Sequence, residues 1–89
     1  MKSRTTARFR KAFRDLPDDV QRHSRAAYRL FRDNPYHPSL RFKPIHASRP
    51  IYSVRIGISN RALAIRDGDN LIWFWIGSHA DYDTLLATL

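Results

Sequence analysis

Leu71-Ile72-Trp73-Phe74-Trp75-Ile76 contains no polar residue. A run this short and apolar on both faces belongs to a strand inside a sheet, covered by helices on at least one side. The flanking segments supply the rest of that sheet. Upstream, Asp67-Gly68-Asp69-Asn70 is a hairpin turn. Arg61 to Arg66 runs into it, with Leu63 and Ile65 alternating against Ala62 and Ala64. Gly57-Ile58-Ser59-Asn60 turns the chain once more, and Ile51 to Gly57 sets Tyr52, Val54 and Ile56 on one face and Ser53 and Arg55 on the other. Leu40 to Ile45 also alternates and reads as a further, weaker strand, because Pro44 cannot donate to a ladder. Downstream, Ser78 followed by Asp81 has the spacing of a capping box, and Tyr82, Leu85, Leu86 and Leu89 form a short helical stripe.

The N-terminal third changes period. Phe9, Ala12, Phe13 and Leu16 make one apolar stripe on a helix over about residues 5 to 15. Leu16-Pro17-Asp18-Asp19 breaks it, and Asp18 with Gln21 resembles a capping box that opens a second helix, continued by Val20, Ser24, Ala27 and Phe31 to Asp33. Asn34-Pro35-Tyr36-His37-Pro38 ends it, since proline disfavours the helical region for the residue before it. The order α-α-β-β-β-β-α predicts an α+β fold: an N-terminal helical hairpin packed on a four-stranded antiparallel sheet, with a short C-terminal helix. The 89 residues have room for one domain, 1–89, and 43% hydrophobic content is enough for a core.

Composition narrows the chemistry. With no cysteine, disulfides, thiolate zinc sites and a cysteine nucleophile are all excluded. No stretch of about 20 apolar residues exists and Met1-Lys2-Ser3-Arg4 is not the start of an export signal, so the expectation is a soluble cytoplasmic protein without a membrane segment. Sixteen basic residues against eight acidic give a net charge of +8, and thirteen of the sixteen are arginine. The guanidinium fork matches phosphate and carboxylate oxygens, so the partner is a polyanion, nucleic acid or an acidic protein. Residues 1–32 hold ten Lys or Arg and three Asp, net +7. The first third is therefore the electrostatic footprint, and the chemistry need not lie there.

No glycine-rich phosphate loop, zinc spacing or serine elbow is present. What remains is a polar set at strand ends: Arg41 and Lys43, Arg55, Arg61, and His79 within Gly77-Ser78-His79-Ala80-Asp81-Tyr82. His79 follows the most apolar strand, where it is either a proton-transfer group or a helix-start histidine with a local hydrogen bond. Two arginines and a histidine converging from neighbouring strands are a composition suited to phosphoryl transfer. Trp73, Phe74 and Trp75 read as core rather than as a base-stacking platform.

Phe13-Arg14-Asp15-Leu16-Pro17, Asn34 to Leu40, Tyr52 to Gly57, Arg61-Ala62-Leu63 and Trp73 to Tyr82, in this order and spacing, resemble the RelE/ParE superfamily of bacterial type II toxins. The likeness runs from about Phe9 to Leu86. It implies a RelE-like fold and a metal-independent endoribonuclease without cofactor, which cuts mRNA at the ribosome, leaves a 2′,3′-cyclic phosphate and is silenced by a cognate antitoxin. Carried over by position, Arg55 and Arg61 would stabilise the scissile phosphate, His79 would move protons and Tyr82 would shape the site. Arg41, Lys43 and His37 are the expected RNA contacts. Ser53 stands where the family pattern carries a basic residue, and the first strand of the family is missing or reduced to Met1–Thr5. An acidic, partly disordered antitoxin is then expected across the basic first third, at Arg10, Arg14, Arg25 and Arg29, and along the sheet edge left by the missing strand. Two other readings share the fold: a non-catalytic ParE-type toxin that poisons DNA gyrase, and a nucleic-acid-binding protein with no toxicity.

Overall fold

The computed structural model describes every residue, Met1–Leu89. In chain order the elements are β1 (Lys2–Thr5), α1 (Ala7–Arg14), α2 (Asp18–Asp33), a 3₁₀ turn (Pro38–Leu40), β2 (Lys43–Pro44), β3 (Ile51–Ile56), β4 (Asn60–Asp67), β5 (Asn70–Ser78) and α3 (His79–Leu86). The sheet has five strands in the order β1-β5-β4-β3-β2. The α+β architecture and the helical hairpin are as expected.

Three local expectations are corrected. Met1–Thr5 is not a remnant: β1 is a full strand, parallel to β5 with Lys2 opposite Asn70 and Thr5 opposite Trp73, so that edge of the antiparallel sheet is filled. Its outer side is partly covered, because Arg10 on α1 donates Nη1 to the Thr5 carbonyl at 2.7 Å. The capping box at the start of α2 does not form. Pro17 holds the N-cap without a side-chain bond, and Gln21 instead donates its amide to the carbonyls of Arg14 and Leu16, tying off the turn between the helices. Finally, the strand expected over Leu40–Ile45 shrinks to Lys43–Pro44, because Leu40 closes a 3₁₀ turn that buries it to 1% exposure.

The helices form for local reasons. The Thr6 hydroxyl accepts from the Phe9 amide at 3.0 Å and starts α1. Asp18 and Asp19 in the first turn of α2 complement its dipole. Phe9, Ala12, Phe13 and Leu16 pack against a core centred on Phe31, whose ring meets Phe42 at 5.1 Å and Trp73 at 5.5 Å, both edge-on. Leu63 faces Trp75 whereas the next residue, Ala64, faces Trp73, so Phe74 is a bulge with no ladder partner. The bulge sends Trp73 to the helix side of the sheet and Trp75 to the other. Everything described next depends on that inversion.

Candidate functional site

The β3–β4 hairpin sets Arg55 directly opposite Arg61. Cross-strand partners share a face, and like charges there repel. The turn that imposes this register needs Gly57, whose φ of +59° suits a residue without Cβ. Each arginine is braced on a carbonyl: Arg55 Nε donates to Gly57 at 3.0 Å and Arg61 Nη1 to Asn60 at 2.7 Å. Arg41, held in the left-handed region at φ +47°, adds a third positive charge to the field at Arg61. Burial, then Arg55 and Arg41, push the Arg61 pKa below its ordinary value, with Tyr82 and Asp83 pulling the other way. A cluster in which positive charge is disfavoured is stabilised by an anion, and phosphate is the anion that a guanidinium fork fits.

β5 and α3 bring the proton-transfer candidate to this cluster. Arg61 pairs with Gly77, two residues before His79. The His79 amide donates to the Ser59 carbonyl at 2.7 Å, locking the start of α3 onto the β3–β4 turn. Ser78 caps that helix by accepting from the Asp81 amide at 3.1 Å. The Tyr82 ring, buried, lies edge-on to the His79 imidazole at 6.1 Å and 6.4 Å from the Trp75 ring. Trp75 itself covers Gly77 so closely that a Cβ at 77 would stand 2.8 Å from the indole. His79 Nδ1 is 3.0 Å from an Asp83 carboxylate oxygen, one helical turn on.

Four residues singled out in the sequence, Arg55, Arg61, His79 and Tyr82, thus gather on one face of the sheet, with Arg41 in the same field. Lys43 is opposite Ser53 on that face, two residues from Arg55, so β2 supplies a cation beside the position where Ser53 has none. His37 is not brought to the group. Its Nδ1 accepts from the Ser39 amide at 3.2 Å and lies 2.8 Å from the Ser39 hydroxyl, capping the 3₁₀ turn. Asp83 and Trp75 were not foreseen in the sequence. The signal for Asp83 was its four-residue spacing from His79, and for Trp75 it was hidden by the bulge.

The other face carries a second concavity. α1 lies over β5 and α2 over β3, and between them runs a cleft of about 780 Å³ floored by Val54, Ala62, Trp73 and Ile76. Arg10, Arg14, Arg25 and Arg29 rim it. The chain offers these arginines no carboxylate, since its two ion pairs join the Met1 amino group to Asp69 and His79 to Asp83. In the floor, the buried Trp73 Nε1 has no hydrogen-bond acceptor. No helix is long and apolar enough to cross a membrane, and no three His, Asp or Glu side chains come together as a metal site.

A family model of the ParE-like toxin domain matches residues 18–84. No curated protein sequence matches the chain significantly. Among solved structures the fold is similar to that of RelE in the RelB–RelE antitoxin–toxin complex of Methanococcus jannaschii (TM-score 0.70, 17% identity, 90% of this chain and 95% of that one). It is also similar to the YoeB/ParE toxin of Agrobacterium tumefaciens (TM-score 0.67, 15% identity, 89% and 99%). The isolated E. coli RelE toxin aligns over 99% of this chain and 98% of its own (TM-score 0.66, 13% identity). At these identities the likeness is one of fold.

Proposed function

The chain belongs to the ParE-like toxin domain family, and on that premise we propose that it is a toxin of a toxin–antitoxin pair that cleaves mRNA during translation. The observation that carries this reading is His79 fixed beside the opposed Arg55 and Arg61 on one open sheet face. In the reaction, His79 takes the proton of a ribose 2′-hydroxyl as O2′ attacks the adjacent phosphorus. The O2′–P bond forms, the P–O5′ bond breaks, and O5′ leaves with a proton from water, giving a 2′,3′-cyclic phosphate and a 5′-hydroxyl. Arg55 and Arg61 neutralise the charge that builds on the phosphoryl oxygens, while Arg41 and Lys43 hold flanking phosphates. Tyr82 keeps the imidazole in place. RNA is the substrate because DNA lacks the attacking hydroxyl.

The silencing partner is an acidic antitoxin. The sheet edge once expected to receive it is filled by β1, so we place it in the cleft between α1 and α2, where apolar floor and unpaired arginines ask for an amphipathic acidic segment. An acceptor on that segment would satisfy Trp73 Nε1.

The deciding experiment is inducible expression with RNA 5′ ends and DNA gyrase damage mapped side by side, together with cleavage of ribosome-bound mRNA in vitro. New RNA 5′ ends are expected, lost in His79→Ala by about 10²- to 10⁴-fold and in Arg61→Ala by about 10²- to 10³-fold. Cleavage of purified RNA persists in EDTA. Gyrase damage without RNA cleavage would replace this reading with the non-catalytic one.

A further inference from the structure

We infer that Asp83 is a positioning residue for His79: its carboxylate accepts the Nδ1 proton and thereby leaves Nε2 as the unprotonated nitrogen that takes the proton from the substrate. This rests on the reading of His79 as the proton-transfer group. The two side chains are one turn apart on α3, with Nδ1 and a carboxylate oxygen separated by 3.0 Å. In a neutral imidazole one nitrogen carries the proton and the other a lone pair. A lone pair on Nδ1 facing a carboxylate at that distance is repelled, whereas an Nδ1–H in the same place is a charge-assisted donor. The partner therefore selects the tautomer, as it does wherever one ring nitrogen of a histidine is engaged.

Two further observations fix the ring against rotation. The His79 amide is held by Ser59, and the Tyr82 ring stands edge-on to the imidazole. Asp83 also faces the cationic group, being the one carboxylate whose charge raises the Arg61 pKa against the opposing arginines. It thus belongs to the same side of α3 as the site. The side chains of His79 and Asp83 are 48% and 61% exposed, so water competes with the bond. A buried aspartate in the same role is worth about 10⁴-fold in kcat. For this half-exposed pair the effect expected is about 10- to 100-fold.

The test compares wild type, Asp83→Ala and Asp83→Asn, each confirmed to melt as wild type does, by imidazole ¹⁵N NMR at a pH where His79 is neutral and by single-turnover and steady-state RNA cleavage. The Nδ1–H form is expected in wild type and in Asp83→Asn, whose amide oxygen still accepts, with a shift toward Nε2–H in Asp83→Ala. In step with this, kcat falls about 10- to 100-fold in Asp83→Ala with KM within about twofold, and Asp83→Asn recovers part of the loss. A wild-type His79 in the Nε2–H form, or an Asp83→Ala protein with tautomer and kcat unchanged, overturns the inference. A wild-type protein that cleaves no RNA overturns the nuclease reading instead, and the tautomer then decides the role of Asp83 on its own.

Discussion

Arg61 is an example of a residue whose place is good for binding and poor for folding. Its pKa is lowered in the folded chain by burial first and then by Arg55 and Arg41. A cation with a depressed folded pKa costs stability at every pH below that value and ceases to do so only in strong alkali. Arg61→Gln should therefore keep or raise the melting temperature, equally at about pH 5 and pH 9, while losing the stabilisation that added pyrophosphate gives the wild type. Differential scanning fluorimetry with and without the anion checks this, and a fall of more than about 3 °C in the variant refutes it. Gly77 is a second such position. Its Cβ would stand 2.8 Å from the rigid Trp75 indole, so Gly77→Ala should cost about 1–3 kcal/mol in urea unfolding and shift the tryptophan fluorescence. At this scale the sequence was partly legible. Residue types announced Arg55, Arg61 and His79, but nothing in a two-residue period revealed that Phe74 bulges and parts Trp73 from Trp75. A bulge is decided by how two sheet faces fill, which is not a property of the strand alone.

Elements were legible where a stripe or an alternation had a face to bury. β3, β4, β5 and both long helices follow their apolar periods, whereas β1 does not, because Lys2-Ser3-Arg4-Thr5 is held by its ladder to β5 and offers little side-chain burial. The cap of α2 misled for a related reason: Asp18 and Gln21 have the right spacing, yet Pro17 ends the turn and Gln21 is drawn back to the carbonyls of Arg14 and Leu16. α3 is the element on which function leans and the one with the least to hold it, since Tyr82 is its single buried residue. Its Ser78 cap therefore matters more than a cap usually does. Ser78→Ala should destabilise α3 by about 1 kcal/mol. Hydrogen exchange of the α3 amides should then speed up about fivefold while the β3 and β4 amides are unaffected. Equal acceleration in both would mean that α3 opens only with the whole fold.

The sheet divides the molecule into two working faces. One bears Arg55, Arg61 and the start of α3, while the other bears the helices and the cleft, with the charge of the first third of the chain on its rim. If RNA is cut on the first face and an acidic antitoxin seats on the second, changes at the rim should separate the two activities. Reversing Arg10, Arg14, Arg25 and Arg29 to glutamate takes the net charge from +8 to zero without touching a residue of the site. All four side chains are exposed, so folding should survive, with the contact between Arg25 and the Phe13 ring the main loss. Steered encounter between opposite charges runs about 10²-fold or more above the neutral rate and weakens as salt rises. The antitoxin association rate should accordingly drop by about that factor in the reversed protein and lose its dependence on ionic strength, while the single-turnover rate of RNA cleavage at saturating enzyme stays within about threefold. Stopped-flow mixing across a salt series measures the first and quenched cleavage the second. Should association keep its rate and its salt dependence while cleavage collapses, the basic rim would serve RNA, and the antitoxin would dock elsewhere on the chain.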